Sequence, residues 1–208
     1  TGPAAVAADV RGTLDNPVIN GTLASDNATI DSPITGMRLS GVKARGRFGG
    51  SQLVISSFSG NARGGGSVTG TGRFDFAGGK GVAMDLSMQA TNAALLERDD
   101  IGATVTGPIT ITSDGVGGTI AGNVDLIRSR FTLGQAAAVA AIPELRVIEV
   151  NRRGEEFEKA TASAPWKLDI KANARNRLTV TGLGLSSEWR ANLDIGGTVT
   201  APAIQGTV

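Results

Sequence analysis

The chain of 208 residues contains no cysteine, no histidine and no tyrosine. Without cysteine there is no disulfide, no thiolate metal site and no thiol nucleophile. Without histidine, the commonest zinc ligand and the commonest acid–base group near neutral pH are both missing. Triads built on histidine are therefore excluded. An enzyme would have to run on carboxylates or lysine alone. A glycosidase is the one type that inventory permits, and two Trp and six Phe are few for stacking on sugar rings. The sequence reads as non-enzymatic, with no catalytic, cofactor or metal residues. A net charge of +1 gives no bulk attraction to nucleic acid. No stretch reaches the roughly 20 apolar residues of a membrane helix; the longest apolar run, "AAAVAAI" at 136–142, is too short.

What is present is aliphatic and glycine-rich. Glycine fills 30 of 208 positions, about twice its usual share of about 7%. Apolar residues alternate with polar ones along most of the chain, the mark of strands with one wet and one dry face. Val6, Ala8, Val10 and Leu14 stand against Asp9, Arg11, Thr13 and Asp15. Val42, Ala44 and Phe48 stand against Lys43, Arg45 and Arg47; Val82, Met84, Leu86 and Met88 against Ala83, Asp85, Ser87 and Gln89. The pattern runs on to Trp189, Leu193 and Ile195, predicting about a dozen strands joined by turns such as "FGGSQ", "ARGGGS", "AGGKG" and "SDGVGG".

Helical signal is slight: two turns are expected in "GQAAAVAA" at 134–141 and one in "NAALLER" at 92–98. With no helices to cover them, the dry faces must be covered by the sheet itself, as a sandwich, a solenoid or a curled half-pipe. Glycines on strand faces (Gly12, Gly70, Gly72, Gly122) suit strong curvature. The phrase "GTLDNPVINGTL" at 12–23 returns as "GTVTAPAIQGTV" at 197–208, with a looser copy at 105–124. Each reads as a strand–turn–strand module repeated along the chain.

Other features have plain readings. Asp99 and Asp100 are adjacent, so they would point to opposite faces of a strand, and they fit a solvated turn. Glu155, Glu156 and Glu158, beside Arg152, Arg153 and Lys159, fit a wet hairpin tip. "ARGGGS" and "AGGKG" lack the P-loop spacing and lead into no helix. Lys43, Arg45 and Arg47 form one polar face, which is either a solvated, edge-protecting row or a membrane-surface patch.

The strings "GTLDNPVINGTL", "GVKARGRFGGSQLVISSFSGNARGGGSVTGTGRFDF" (41–76), "ERDDIGATVTGPITITSDGVGGTIAGNVDLIRSRF" (97–131), "PELRVIEVN" (143–151) and "GLGLSSEWRANLDIGGTVTAPAIQGTV" (182–208) resemble, in order, the C-terminal DUF490 region of the TamB (translocation and assembly module, AsmA-like) family. The resemblance implies an all-β, elongated, curled sheet, a half-pipe or β-taco with an apolar concave groove. It implies that 1–208 is a single elongated β domain, a segment of a longer, inner-membrane-anchored protein that crosses the periplasm of a Gram-negative bacterium. The expected partners are phospholipid acyl chains, strands of unfolded outer-membrane proteins, and an outer-membrane barrel of the BamA type (TamA-like) that docks through a C-terminal part beyond these residues.

The residues expected to line the groove are Val10 and Leu14; Val42 and Phe48; Val68 and Phe74; Met84, Leu86 and Met88; Val105, Ile109 and Ile111; Ile120, Val124 and Leu126; Leu168 and Ile170; and Trp189, Leu193 and Ile195. Alternation alone leaves a second architecture open: a structural or adhesive β-solenoid or β-sandwich with a closed core.

Overall fold

A computed structural model describes residues 2–13, 17–33, 35–77, 81–133 and 165–207. Leu14, the acidic stretch 155–158 and the helix expected at 134–141 lie outside the described residues.

The described residues form one sheet of eleven strands, and the order of strands in the sheet is their order in the chain. They are β1 (Ala4–Gly12), β2 (Pro17–Asp31), β3 (Arg38–Gly50), β4 (Gln52–Ala62), β5 (Ser67–Asp75), β6 (Ala83–Glu97), β7 (Ile101–Asp114), β8 (Gly118–Thr132), β9 (Trp166–Gly182), β10 (Leu185–Gly197) and β11 (Pro202–Thr207). Each neighbouring pair is antiparallel except β8 and β9, which run parallel. At about 4.8 Å per strand the ladder is about 48 Å long.

Of residues 92–98, expected to make one helical turn, 92–97 continue β6 instead. "NAALLE" carries good helix formers, yet Ala93, Ala94, Leu96 and Glu97 each find a partner on β7, and long-range pairing overrides local propensity. The turns read from glycine fall where expected: "FGGSQ" joins β3 to β4, "SDGVGG" joins β7 to β8, and "ARGGGS" holds a short 3₁₀ turn at Arg63–Gly65.

The strands are long and creased. Register shifts interrupt every interior pair except β5–β6: between Ser25 and Ile30 on β2, Ile55 and Phe58 on β4, Ala90 and Ala93 on β6, Asp125 and Ser129 on β8, and Trp189 and Ala191 on β10. A bulge bends its strand and sharpens the local twist, and a series of them across neighbouring strands folds the whole sheet along one line. The result is a curled sheet. Burial confirms the curl. Ala90, Ala93 and Ala174 are 0% exposed, although no second layer of strands or helices covers the sheet among the described residues. In a flat single layer one face of every residue would stay wet; these alanines instead lie in one buried cluster to which β3 to β10 all contribute.

Candidate functional site

The register sorts side chains into rows that cross the sheet from strand to strand. One row runs Ala4, Ser25, Ala44, Phe58, Gly70, Met88, Ile109, Gly122, Ile170, Ile195 and Ile204, unbroken from β1 to β11. The next is Val6, Leu23, Gly46, Ile55, Gly72, Leu86, Ile111, Ile120 and Leu168. A third is Ala8, Gly21, Phe48, Leu53, Phe74, Met84, Ser113, Gly118 and Trp166. All three share one face. Glycine has a steric job here: a Cβ on Gly72 would run into Leu86 Cδ2, so the missing side chain lets Leu86 lie across the neighbouring strand.

Towards the bulges the same face closes. Leu39, Val42, Ala62, Val68, Ala90, Ala93, Val105, Val124, Leu126, Ala172, Ala174 and Ala191 form one buried cluster. Packed against it are Met88, Ile109, Ile170 and Ile195 from the long arm of the sheet. From the short arm beyond the bulges come Leu95, Ala103 and Leu178, with Met37 from the β2–β3 turn. Small side chains let the two arms approach at the crease. Away from it the arms part, and Phe48, Phe74, Met84, Leu86, Ile111, Ile120 and Leu168 are only half-buried. The inner face is therefore buried towards the bulges and half-accessible away from them, along its lip.

The nineteen described residues expected to line a groove all fall on this face, but not in equivalent places. Val42, Val68, Val105, Val124 and Leu126 belong to the buried crease. Met84, Leu86, Met88, Ile109, Ile111, Ile120, Leu168, Ile170, Leu193, Ile195, Phe48 and Phe74 are partly accessible. Val10 is 68% exposed on the edge strand β1, and Trp189 is 40% exposed on the short arm, where its indole N–H donates to Ser187 Oγ at 2.6 Å. Sequence reasoning passed over Leu53, Ile55 and Phe58. The bulge between Ile55 and Phe58 shifts the phase of "QLVISSF", so strict alternation does not show there. It also passed over the alanines of the crease, whose signal is small size rather than hydrophobic bulk.

The outer face is polar. Thr22, Arg47, Val54, Arg73, Asp85, Thr112, Thr119 and Lys167 form one of its rows, with Arg73 and Asp85 3.8 Å apart. Arg45 pairs with Asp26 and donates to the Ser25 carbonyl at 2.8 Å. A shallow depression of about 500 Å³ on β2–β4 is lined by Thr22, Arg45, Arg47 and Val54 of this outer side and also by Leu23, Gly46 and Phe48 of the apolar rows. Arg98 donates to Asp100 at 3.2 Å within the β6–β7 bend, and Asp99 is exposed there: a solvated turn, as read. Among the described residues no three acidic side chains converge on a point that could hold a metal ion.

One carboxylate is tuned. Asp75, at the end of β5, accepts from the Ala77 backbone N–H at 2.9 Å, from Gln52 Nε2 at 3.0 Å and from Ser51 Oγ at 2.9 Å. These donors, the Ala77 N–H foremost, hold its carboxyl below the ordinary carboxylate range, with Arg73 adding a little. The bonds from Ser51 and Gln52 tie the β3–β4 turn to the end of β5, beside the Phe48 and Phe76 rings, whose centroids are 6.5 Å apart.

No curated protein and no solved structure matches the chain. The family model of the TamB C-terminal domain matches residues 56–208, which begins within β4 and takes in most of the crease and lip, though not Leu39, Val42 or Phe48, and the remaining strands. With a sheet that curls as that resemblance implies and a match over most of its length, the chain belongs to the TamB C-terminal domain family.

Proposed function

We propose that the chain is one segment of a periplasm-spanning conduit, anchored in the inner membrane through another part of the protein. Its inner face shields phospholipid acyl chains on their way to the outer membrane. The observation that carries this reading is the split in the inner face, with a sealed crease of small residues and an open lip of large, half-buried aliphatic ones. A closed core would have no reason to leave Leu86, Ile111, Ile120 and Leu168 accessible in one row. Burying each CH₂ of an acyl chain gains about 0.8 kcal/mol, so a chain laid along that row is held without any catalytic group or cofactor. Headgroups remain in water beyond the lip. Sliding along the ladder then breaks no specific polar contact. The same open face suits transient shielding of an unfolded outer-membrane protein strand, in keeping with a role of the family in outer-membrane assembly alongside a BamA-type barrel.

The test is photocrosslinking in cells with a probe at Leu86 and, separately, at its neighbour Asp85 on the outer face. The expected outcome is phospholipid adducts at Leu86 and none at Asp85. Adducts at neither position in a folded protein would mean that the face is sealed, and the conduit reading would fall.

A further inference from the structure

Lys43, Arg45 and Arg47 stand in line on β3. Both edges of β3 are taken, by β2 and by β4, so the row defends no edge. Across the sheet Arg47 lies opposite Val54, and Val54 opposite Arg73. β4 thus places short side chains, Val54 and Ser56, between arginines on the two flanking strands. The result is a trough along the outer side of β4. The depression of about 500 Å³ lies against its β3 wall. A second, of about 390 Å³ and lined by Thr71, Arg73 and Ser87, lies against its β5 wall. Val54 and Ser56 line both, so the two adjoin.

Two features of the trough point to a ligand. Its floor presents an aliphatic side chain on an otherwise polar face: Val54 is 48% exposed. Its charge is also not balanced from within. Arg45 pairs with Asp26 and Arg73 with Asp85, and these acids stand on the far flanks, on β2 and β6. Arg47 and Lys43 make no ion pair among the described residues. Towards the other end of the sheet opposite charges face each other instead, as Lys171 faces Asp194. The positive patch is therefore local to β3–β5.

The spacing of the cations selects the ligand. Arg45 and Arg47 are two residues apart on one strand, about 6.8 Å, which is also the distance between alternate side chains of an extended polypeptide. Each guanidinium presents five donors in a planar fork, and Arg45 uses only part of its set on Asp26 and the Ser25 carbonyl. Carboxylates are matching acceptors. A single phosphate ion would meet one fork and leave Val54 wet. A planar bilayer would rest on the arginine tips and leave the recessed floor uncovered. We infer that the trough is a docking site for an extended, acidic polypeptide segment. The segment lies along β4, with carboxylates at alternate positions towards Arg45 and Arg47 and small apolar side chains over Val54. It binds the face of the sheet and needs no free strand edge.

The probe is a short fluorescent peptide of alternating glutamate and alanine, titrated into the chain at low salt with anisotropy as the readout. Binding is expected to weaken about tenfold with Arg47→Gln, through loss of a charge-assisted pair. A loss of about threefold is expected with Val54→Thr, which keeps the shape and removes apolar surface. Lys167→Gln removes one positive charge from the same outer row, outside the trough, and is expected to leave binding nearly unchanged, since salt screens charges that far apart. All three residues are exposed, so the circular dichroism of the variants should match that of the parent chain. The proposal would be overturned by absence of binding, by equal binding of the peptide with glutamine in place of glutamate, or by an equal loss with Lys167→Gln. Displacement of the peptide by an equal concentration of inorganic phosphate would overturn it too, as would capture of anionic phospholipid vesicles in place of the peptide. None of these results bears on whether the inner face holds lipid.

Discussion

The crease and the lip of the inner face are built from the same alternating strands but from different side chains. At the crease stand Ala62, Ala90, Ala93, Ala172, Ala174 and Ala191, all buried. At the lip stand Phe48, Phe74, Met84, Leu86, Ile111, Ile120 and Leu168, all half-accessible. Hydrophobicity alone would rank the lip as the core, because its residues have more apolar area to hide. The structure instead gives its tightest packing to a cluster rich in alanine and valine, with Leu39 and Leu126 among them, and leaves most of the larger lip residues half-accessible, Leu53 and Ile55 being the buried exceptions in those rows. The teaching is that size sets the distance between the two arms. Small residues pack closely at the crease, and the larger residues of the lip keep part of their surface in solvent.

Substitutions that trade the properties of the two regions test this contrast. The largest effect is expected from Val124→Asp, which places an unpaired carboxylate in the crease. A loss of about 3–5 kcal/mol is expected, as for a buried charge without a partner, read as a lower midpoint in urea unfolding. A near-silent Val124→Asp would show that the crease opens to water, and the comparison would break. Ala93→Leu puts a lip-sized residue in the crease and is expected to cost about 1–3 kcal/mol by overpacking. Calorimetry would show the drop, and a gain in stability would mean that the arms have slack.

Leu86→Asp, at the lip, is expected to cost only about 1 kcal/mol, since half a leucine's apolar surface is at stake. Its main effect should appear in lipid crosslinking from a neighbouring probe at Ile111, which falls while the protein stays folded. Were Leu86→Asp as destabilising as Val124→Asp, lip and crease would be one core.

The smallest effect concerns pH at the β3–β4 turn. The carboxyl of Asp75 is held lower in the folded chain than in the unfolded one. Its bonds to Ala77, Gln52 and Ser51 therefore contribute fully above the unfolded carboxylate range and are lost as pH falls through the lower, folded value. Asp75→Asn is expected to flatten the acid limb of the stability curve below about pH 4, with little change at neutral pH. An unchanged acid limb would show that the turn is held by the Phe48–Phe76 contact instead.

Much of this architecture is legible in the sequence. Period-two alternation gives the strands, the turns at "FGGSQ" and "SDGVGG", and the common face of residues as distant as Phe48 and Ile195. The crease is hidden because a bulge shifts the phase of the very pattern being read. "QLVISSF" seems to break alternation at Ser56 and Ser57, when it is the strand that bends there. "NAALLE" reads as helix because its alanines are small and good helix formers, and small is what the crease requires. The parallel pairing of β8 with β9 is invisible for another reason: nothing in either strand's own pattern distinguishes a parallel partner from an antiparallel one.

That parallel joint is also the one place where adjacent strands are not linked by a tight turn. From β1 to β8, and again from β9 to β11, each strand meets its partner after a short connection, so the entropy of closing each loop is small. β8 ends at Thr132 and β9 begins at Trp166, which pairs with Gly118 at the start of β8, so this pairing closes a much longer loop than any other in the sheet. The molecule is thus kinetically two meanders joined by one slow seam. Refolding should show the two sections acquiring structure quickly and docking late, and hydrogen exchange should mark the β8–β9 amides as the last to be protected.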